Sequence, residues 1–215
     1  MLTKKRLSIL GDSISTYRGV SNDGEANATI CDNPYRYREP FPMEGTYWGR
    51  LLRSFGMTLC VNNSWSGGNL SGVDDPTSGV SRARYLSRES GERPDLVIVF
   101  MGINDLGRRV DAQVFASDYE KTLEIIGREY PEALVCCVNI PDRDPVLKPR
   151  AEVFNGAIAR AVLAAGERFF IADLFGSRLN NTFYYDNTVD GLHPDEDGMR
   201  FIAEIVEGAI RSRLS

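Results

Sequence analysis

The sequence predicts an α/β protein built on a parallel sheet with helices on both faces. Five short apolar runs recur along its 215 residues: Leu7 to Leu10, Met57 to Val61, Leu96 to Met101, Leu134 to Val138 and Phe169 to Ala172. Each is continuous rather than alternating, as expected of strands buried on both faces. Longer segments with helical spacing lie between and after them, and strand–helix alternation is the mark of a parallel sheet. Small and polar residues cluster just after the first three runs, where ligands of such sheets gather.

In chain order, the first run leads into Gly11-Asp12-Ser13-Ile14-Ser15. Tyr47-Trp48, Leu51-Leu52 and Phe55 then space as the apolar face of a helix. The second run is followed by Asn62-Asn63-Ser64-Trp65-Ser66-Gly67-Gly68, and the third by Gly102-Ile103-Asn104-Asp105, which reads as a loop. Phe115, Tyr119, Leu123 and Ile126 predict a second helix. Asp142-Arg143-Asp144 predicts a turn after the fourth run. Val153-Phe154, Ile158, Val162 and Leu163 predict a third helix, and Phe201-Ile202, Ile205-Val206 and Ile210 the closing one. Asp195 reads as the start of that last helix, continuing into Glu196.

Tyr17 to Gly45 breaks this rhythm. It carries Pro34, Pro40 and Pro42 among Tyr35, Tyr37 and Phe41, without periodicity. A segment of this length inside a compact chain is an ordered flap over a site, or a loop packed on the domain or on a second subunit. Arg36 and Arg38, between those aromatics, read as solvated. No internal repeat or linker divides the chain, so residues 1–215 are expected to form one domain with an insertion at about 17–45.

A net charge of −5 with scattered basic residues argues against a nucleic-acid partner. No stretch has the length of a membrane span, and Leu7 to Leu10 is too short for a signal-peptide core. Cys31, Cys60, Cys136 and Cys137 include no C-x-x-C pair and read as buried thiols. A cytoplasmic location is therefore expected. No G-x-G-x-x-G or P-loop occurs, which argues against a nucleotide role, and metal-ligand residues do not cluster in the sequence.

The chain contains one histidine, His193, in Asp190-Gly191-Leu192-His193-Pro194. Acyl transfer from an ester needs a nucleophile, a base, a group to orient that base, and donors for the developing oxyanion. Ser13 lies just past a buried strand, where a turn can expose its hydroxyl. His193 is the only imidazole that could take its proton near neutral pH. Asp190, three residues earlier, is close enough on a tight turn to reach the distal ring nitrogen. Donors could come from Ser13 N–H, a glycine after the second strand and the Asn104 amide.

Four blocks of this kind resemble the SGNH hydrolases, also called GDSL-type esterases and lipases. They are Gly11-Asp12-Ser13, Asn62 to Gly67, Gly102-Ile103-Asn104-Asp105 and Asp190 to Pro194, and they span almost the whole chain. The resemblance implies a three-layer α/β/α sandwich with about five parallel strands in flavodoxin-like order. It implies Ser13 as nucleophile, His193 as base and Asp190 as its partner. Ser13 N–H, Gly67 N–H and Asn104 would form the oxyanion hole, without metal or cofactor. The second block departs from the pattern: Ser64 stands where the family usually has glycine, Trp65 follows, and Gly68 is an alternative to Gly67 as donor.

These readings make the protein a serine esterase for a small carboxylic ester, an O-acetylated carbohydrate being the preferred substrate. Trp65, Tyr35 and Tyr37 are candidate substrate-binding residues, although ordinary core packing explains Trp65 as well. Alternatives are a lysophospholipase, thioesterase or acyltransferase at the same site, and a non-catalytic flavodoxin-like binding module. The expected partner is a small-molecule ester, with self-association into a homo-oligomer left open.

Overall fold

The computed structural model describes residue 2 and residues 4–21, 42–142, 144–177 and 186–215. Tyr35, Tyr37, Arg36, Arg38, Cys31, Arg143 and most of the 17–45 segment lie outside the described residues.

The five apolar runs form one sheet: β1 (Arg6–Gly11), β2 (Thr58–Ser64), β3 (Leu96–Phe100), β4 (Leu134–Val138) and β5 (Phe169–Ala172). All adjacent pairs are parallel, in the order β2-β1-β3-β4-β5. The helices are α1 (Tyr47–Phe55), α2 (Gly79–Arg82), α3 (Ile103–Gly107), α4 (Ala112–Glu129), α5 (Lys148–Ala165) and α6 (Glu196–Leu214). α1 packs on α6, while α4 packs on α2 and α5. The chain runs outward from β1 to β2, then reverses through β3 to β5. With right-handed crossovers, that reversal puts α1 on one face and α2, α4 and α5 on the other. Every residue of β3 is buried, as the central strand of a three-layer sandwich requires.

Two boundaries differ from the sequence expectation for physical reasons. β2 continues through Asn62, Asn63 and Ser64, which the apolar pattern places after the strand. Their polar side chains are satisfied in place. Asn62 Nδ2 donates to Ser15 O at 2.8 Å, Asn63 Nδ2 donates to Tyr85 O at 3.0 Å, and Ser64 Oγ donates to Asn62 Oδ1 at 2.6 Å. A buried polar residue that keeps its hydrogen bonds need not end a strand. Gly102 to Asp105, read as a loop, instead opens α3, with Gly102 at φ +118° as its N-cap.

The predicted long helices form, but Val153 and Leu163 lie on the outer face of α5 and are exposed. The core side of α5 comes from Phe154, Ala157, Ile158 and Ala161. Trp65 is only half-buried and does not belong to the core, so core packing does not account for it. The fully buried indole is that of Trp48.

Candidate active site

β1 and β3 leave the centre of the sheet in opposite directions of winding, so a crevice opens beyond their carboxyl ends. Ser13 lies two residues past β1 in a tight turn closed by Ser15 N–H donating to Asp12 O at 3.0 Å. The turn is held from below. The Ser15 carbonyl accepts from Trp48 Nε1 at 3.1 Å and from Asn62 Nδ2, while the Ser15 hydroxyl lies 2.8 Å from Tyr47 OH. Thr16 Oγ1 donates to Ser13 O at 3.0 Å. These buried partners fix where the Ser13 hydroxyl points.

Gly11 explains the unusual Ser64. The two residues are paired in register, and a Cβ on Gly11 would stand 2.6 Å from Ser64 Oγ and from Ser15. The side chain missing from β1 leaves room for the one present on β2.

His193 is carried by the loop before α6. Val189 N–H donates to His193 O at 2.9 Å, Thr188 bridges Pro194, and Asp195 N–H donates to Asn187 O at 3.0 Å. Gly191 sits at φ +79°, a left-handed conformation that glycine adopts without strain. Asp195 caps α6, accepting from Gly198 N–H at 2.8 Å. Gly198 itself must lack a side chain, because a Cβ there would run into Asn187 O.

The two ends of the chain meet in this crevice. Ser13 Oγ lies 2.9 Å from His193 Nε2, and His193 Nδ1 lies 2.8 Å from Asp190 Oδ2. Ser13 and His193 are buried, while Asp190 remains partly accessible. Burial alone would raise the Asp190 carboxyl. The His193 backbone N–H, its ring and the Leu192 N–H together outweigh that and hold it below the usual carboxylate range. An ionised Asp190 only accepts, so Nδ1 carries a proton, and in the neutral imidazole Nε2 is then the bare acceptor facing the Ser13 hydroxyl.

Gly67, Gly68 and Asn104 also arrive here. Gly68 N–H is taken up by Trp65 O at 3.0 Å. Ser13 N–H and Gly67 N–H have no hydrogen-bond partner among the described residues. Gly67 stands at φ +73°. Asn104 gives one amide hydrogen to Gly68 O at 2.9 Å, leaving the other for a ligand. Of the two glycine N–H groups, that of Gly67 is open among the described residues and that of Gly68 is engaged by Trp65 O.

Three supporting residues had no role assigned from the sequence, although Asp12 and Asp105 lie inside the quoted blocks. Asp105 is fully buried and accepts from Leu70 N–H at 2.7 Å and Ser71 N–H at 2.9 Å, fixing the loop that carries Gly67. Arg82 is buried and donates to Gly11 O at 3.0 Å, to Thr77 O at 2.8 Å and to Asn63 O. Asp12, also buried, accepts from Ile14 N–H at 3.0 Å. Desolvation pushes its carboxyl up to about 7, with Asp105 adding to the rise and the Ile14 hydrogen bond and Arg82 opposing it. Asp105 closes the Gly102-Ile103-Asn104-Asp105 block, which is the signal that could have found it; nothing local in the sequence marks Arg82.

The described residues contain no helix long and apolar enough to cross a membrane. Cys60, Cys136 and Cys137 are buried free thiols.

No curated protein matches the chain. Solved structures share its fold. A GDSL-like lipase from Bacteroides uniformis superposes with a TM-score of 0.73 at 21% identity, covering 97% of this chain and 96% of that one. A GDSL-like lipase from Bacteroides ovatus gives 0.72 at 19% identity, covering 98% and 99%. A family two carbohydrate esterase from Clostridium thermocellum, in complex with cellohexaose, gives 0.70 at 18% identity, covering 99% of this chain and 65% of that one. The model of the GDSL-like lipase/acylhydrolase family matches residues 9–201, nearly the full length. With that match joined to the five-stranded parallel sheet, the chain belongs to the GDSL-like lipase/acylhydrolase family and is a hydrolase of ester bonds.

Proposed function

We propose that the protein is a serine esterase that removes a small acyl group, acetate foremost, from a carbohydrate hydroxyl through an acyl-enzyme. The observation that carries this reading is the 2.9 Å contact between Ser13 Oγ and His193 Nε2, with Asp190 behind the ring. In the first step Ser13 Oγ attacks the ester carbonyl carbon while its proton passes to His193 Nε2. The negative charge that builds on the carbonyl oxygen is met by Ser13 N–H, Gly67 N–H and the free Asn104 amide hydrogen. The tetrahedral intermediate collapses. The bond to the leaving alcohol breaks, and that alcohol takes the proton from His193. Water then attacks the acyl-serine with His193 again as base, releasing the acid and restoring Ser13. Asp190 holds the ring in the tautomer with a bare Nε2 and stabilises the imidazolium.

The carbohydrate part of the reading is supported by fold likeness to the Clostridium thermocellum carbohydrate esterase and by half-buried Trp65 beside Gly67, a flat apolar surface suited to a sugar face. The test is labelling with a fluorophosphonate followed by mass spectrometry, and acetate release from a panel of acetylated sugars. The adduct is expected on Ser13, with none in Ser13→Ala. An adduct elsewhere, or full hydrolysis by Ser13→Ala, would discard the mechanism. Faster turnover of long-chain acyl esters or thioesters than of any acetylated sugar would discard the substrate class.

A further inference from the structure

Arg108, at the C-terminal end of α3, reaches back across the rim of the crevice to the loop after β2. Its Nη1 donates to Gly67 O at 2.7 Å and to Asn69 Oδ1 at 2.6 Å. Those two bonds occupy one nitrogen and fix the guanidinium plane. Nη2 and Nε have no hydrogen-bond partner among the described residues, and Arg108 forms no ion pair there, although the side chain is solvent-exposed. Neighbouring Arg109 is likewise exposed and without an ion pair among the described residues. Asp75 feels the charge of Arg108, but its carboxylate is bonded to Thr77 N–H and Oγ1. An anchored cation with an unused donor edge is thus held in water at the lip of the site.

Its distance from the chemistry can be bounded. Nη2 stands 3.4 Å from the place a Cβ of Gly67 would occupy. Adding a Cβ-to-N span and one N–H···O bond puts Nη2 within about 9 Å of an oxygen held by Gly67 N–H. An anionic group bonded to Nη2 would then lie within a few bonds of the ester carbonyl. A guanidinium already fixed in its plane loses little side-chain entropy when it binds a planar or tetrahedral oxyanion.

We propose that Arg108 is a specificity-determining residue: its free edge binds an anionic oxygen group, carboxylate or phosphate, carried by the substrate close to the scissile ester. This rests on the reading of Ser13 and Gly67 given above. The substrate class is then an O-acylated acidic sugar rather than a neutral one, and a net charge of −5 on the protein makes such a local cation the means of holding it.

The experiment measures acetate release from an O-acetyl uronic acid, its neutral methyl ester, an O-acetyl sugar phosphate and the parent neutral acetylated sugar. What is read is the ratio of kcat/KM between each anionic substrate and its neutral counterpart. For the wild-type protein the ratio is expected to favour an anionic member by roughly ten- to a hundredfold. The preferred anionic member distinguishes carboxylate from phosphate. Arg108→Gln is expected to bring the ratio close to one, and Arg108→Lys to recover part of it. Any general slowing from a looser Gly67 loop cancels in the ratio. A wild-type ratio near one, or an unchanged ratio in Arg108→Gln, overturns the proposal. Ser13→Ala, assayed on 4-nitrophenyl acetate, tests the parent reading separately. Activity there sinks both readings, whereas an inactive Ser13→Ala together with a flat ratio removes only the role of Arg108.

Discussion

Arg82 Nη2 donates to the carbonyl of Gly11 across 71 positions of sequence, and the same guanidinium reaches Asn63 O and Thr77 O. One buried cation thereby ties the end of β1 to the end of β2. The residues that follow those ends are Ser13 and Gly67, so the spacing of their two N–H groups, the oxyanion donors of the proposed mechanism, depends on this clamp. Arg82→Met is expected to lose about 3–5 kcal/mol of stability, because several buried acceptors lose their partner. Arg82→Lys keeps the charge but has no planar fork, and should lower kcat about tenfold or more while KM moves little. Urea unfolding and steady-state kinetics on the two variants check this. A kcat for Arg82→Lys that matches the wild type once corrected for the folded fraction would assign Arg82 to folding alone.

In the proposed mechanism Asp190 sets the tautomer of His193, whose Nδ1 lies 2.8 Å from its carboxylate. Replacing it with Asn leaves a side chain of the same shape that can offer the ring a donor, favouring the wrong tautomer. The expected loss in kcat is about 10³–10⁴-fold. Because the folded carboxyl is held low, its stabilising contribution is present above the unfolded value of 3.8 and disappears as pH falls through the lower folded value. The Asp190→Asn protein should therefore lose less stability on acidification below about pH 4 than the wild type does, by thermal melts across that range.

Asp12 works in the opposite direction. Its carboxyl is raised from 3.8 to about 7, so the folded chain retains a proton that the unfolded chain gives up. Stability from this group is complete below 3.8 and is lost as pH rises toward 7. The whole span is about 4 kcal/mol at most. Asp12→Asn keeps the acceptor for Ile14 N–H and removes the titration. Its melting temperature should change less between pH 4 and pH 8 than that of the wild type, and an identical slope in both proteins would refute the assignment.

Asp105→Ala leaves Leu70 N–H and Ser71 N–H buried without their shared acceptor. A loss of about 2–5 kcal/mol is expected. The loop that carries Gly67 should loosen with it, so hydrogen exchange at residues 67–71 should quicken more than in the sheet. Protection unchanged in that loop would show that other contacts fix it.

The fold was legible because its elements depend on pattern: buried parallel strands are continuous apolar runs, and the long helices are amphipathic. The meeting of Ser13 with His193 was legible only through four blocks taken jointly, since contacts separated by 180 positions leave no periodic trace. The extension of β2 through Asn62 and Asn63 was not legible. Hydropathy counts those side chains as polar, whereas in the folded chain their amides are satisfied by Ser15, Arg82 and Tyr85 carbonyls. Arg82 was hidden for the same reason: a buried arginine looks like any surface one until the carbonyls around it are known. That Gly68 N–H is engaged while Gly67 N–H is open among the described residues depends on a turn that no local pattern marks.

The 215 residues contain a single imidazole, and it lies caged between Ser13 and Asp190. A proton magnetic resonance spectrum of untagged protein should hence hold one set of ring signals and one downfield Nδ1 resonance, with no assignment problem. Inhibitor binding, acylation and titration at the proposed reacting centre would each be visible in that one set of lines, without isotopic enrichment.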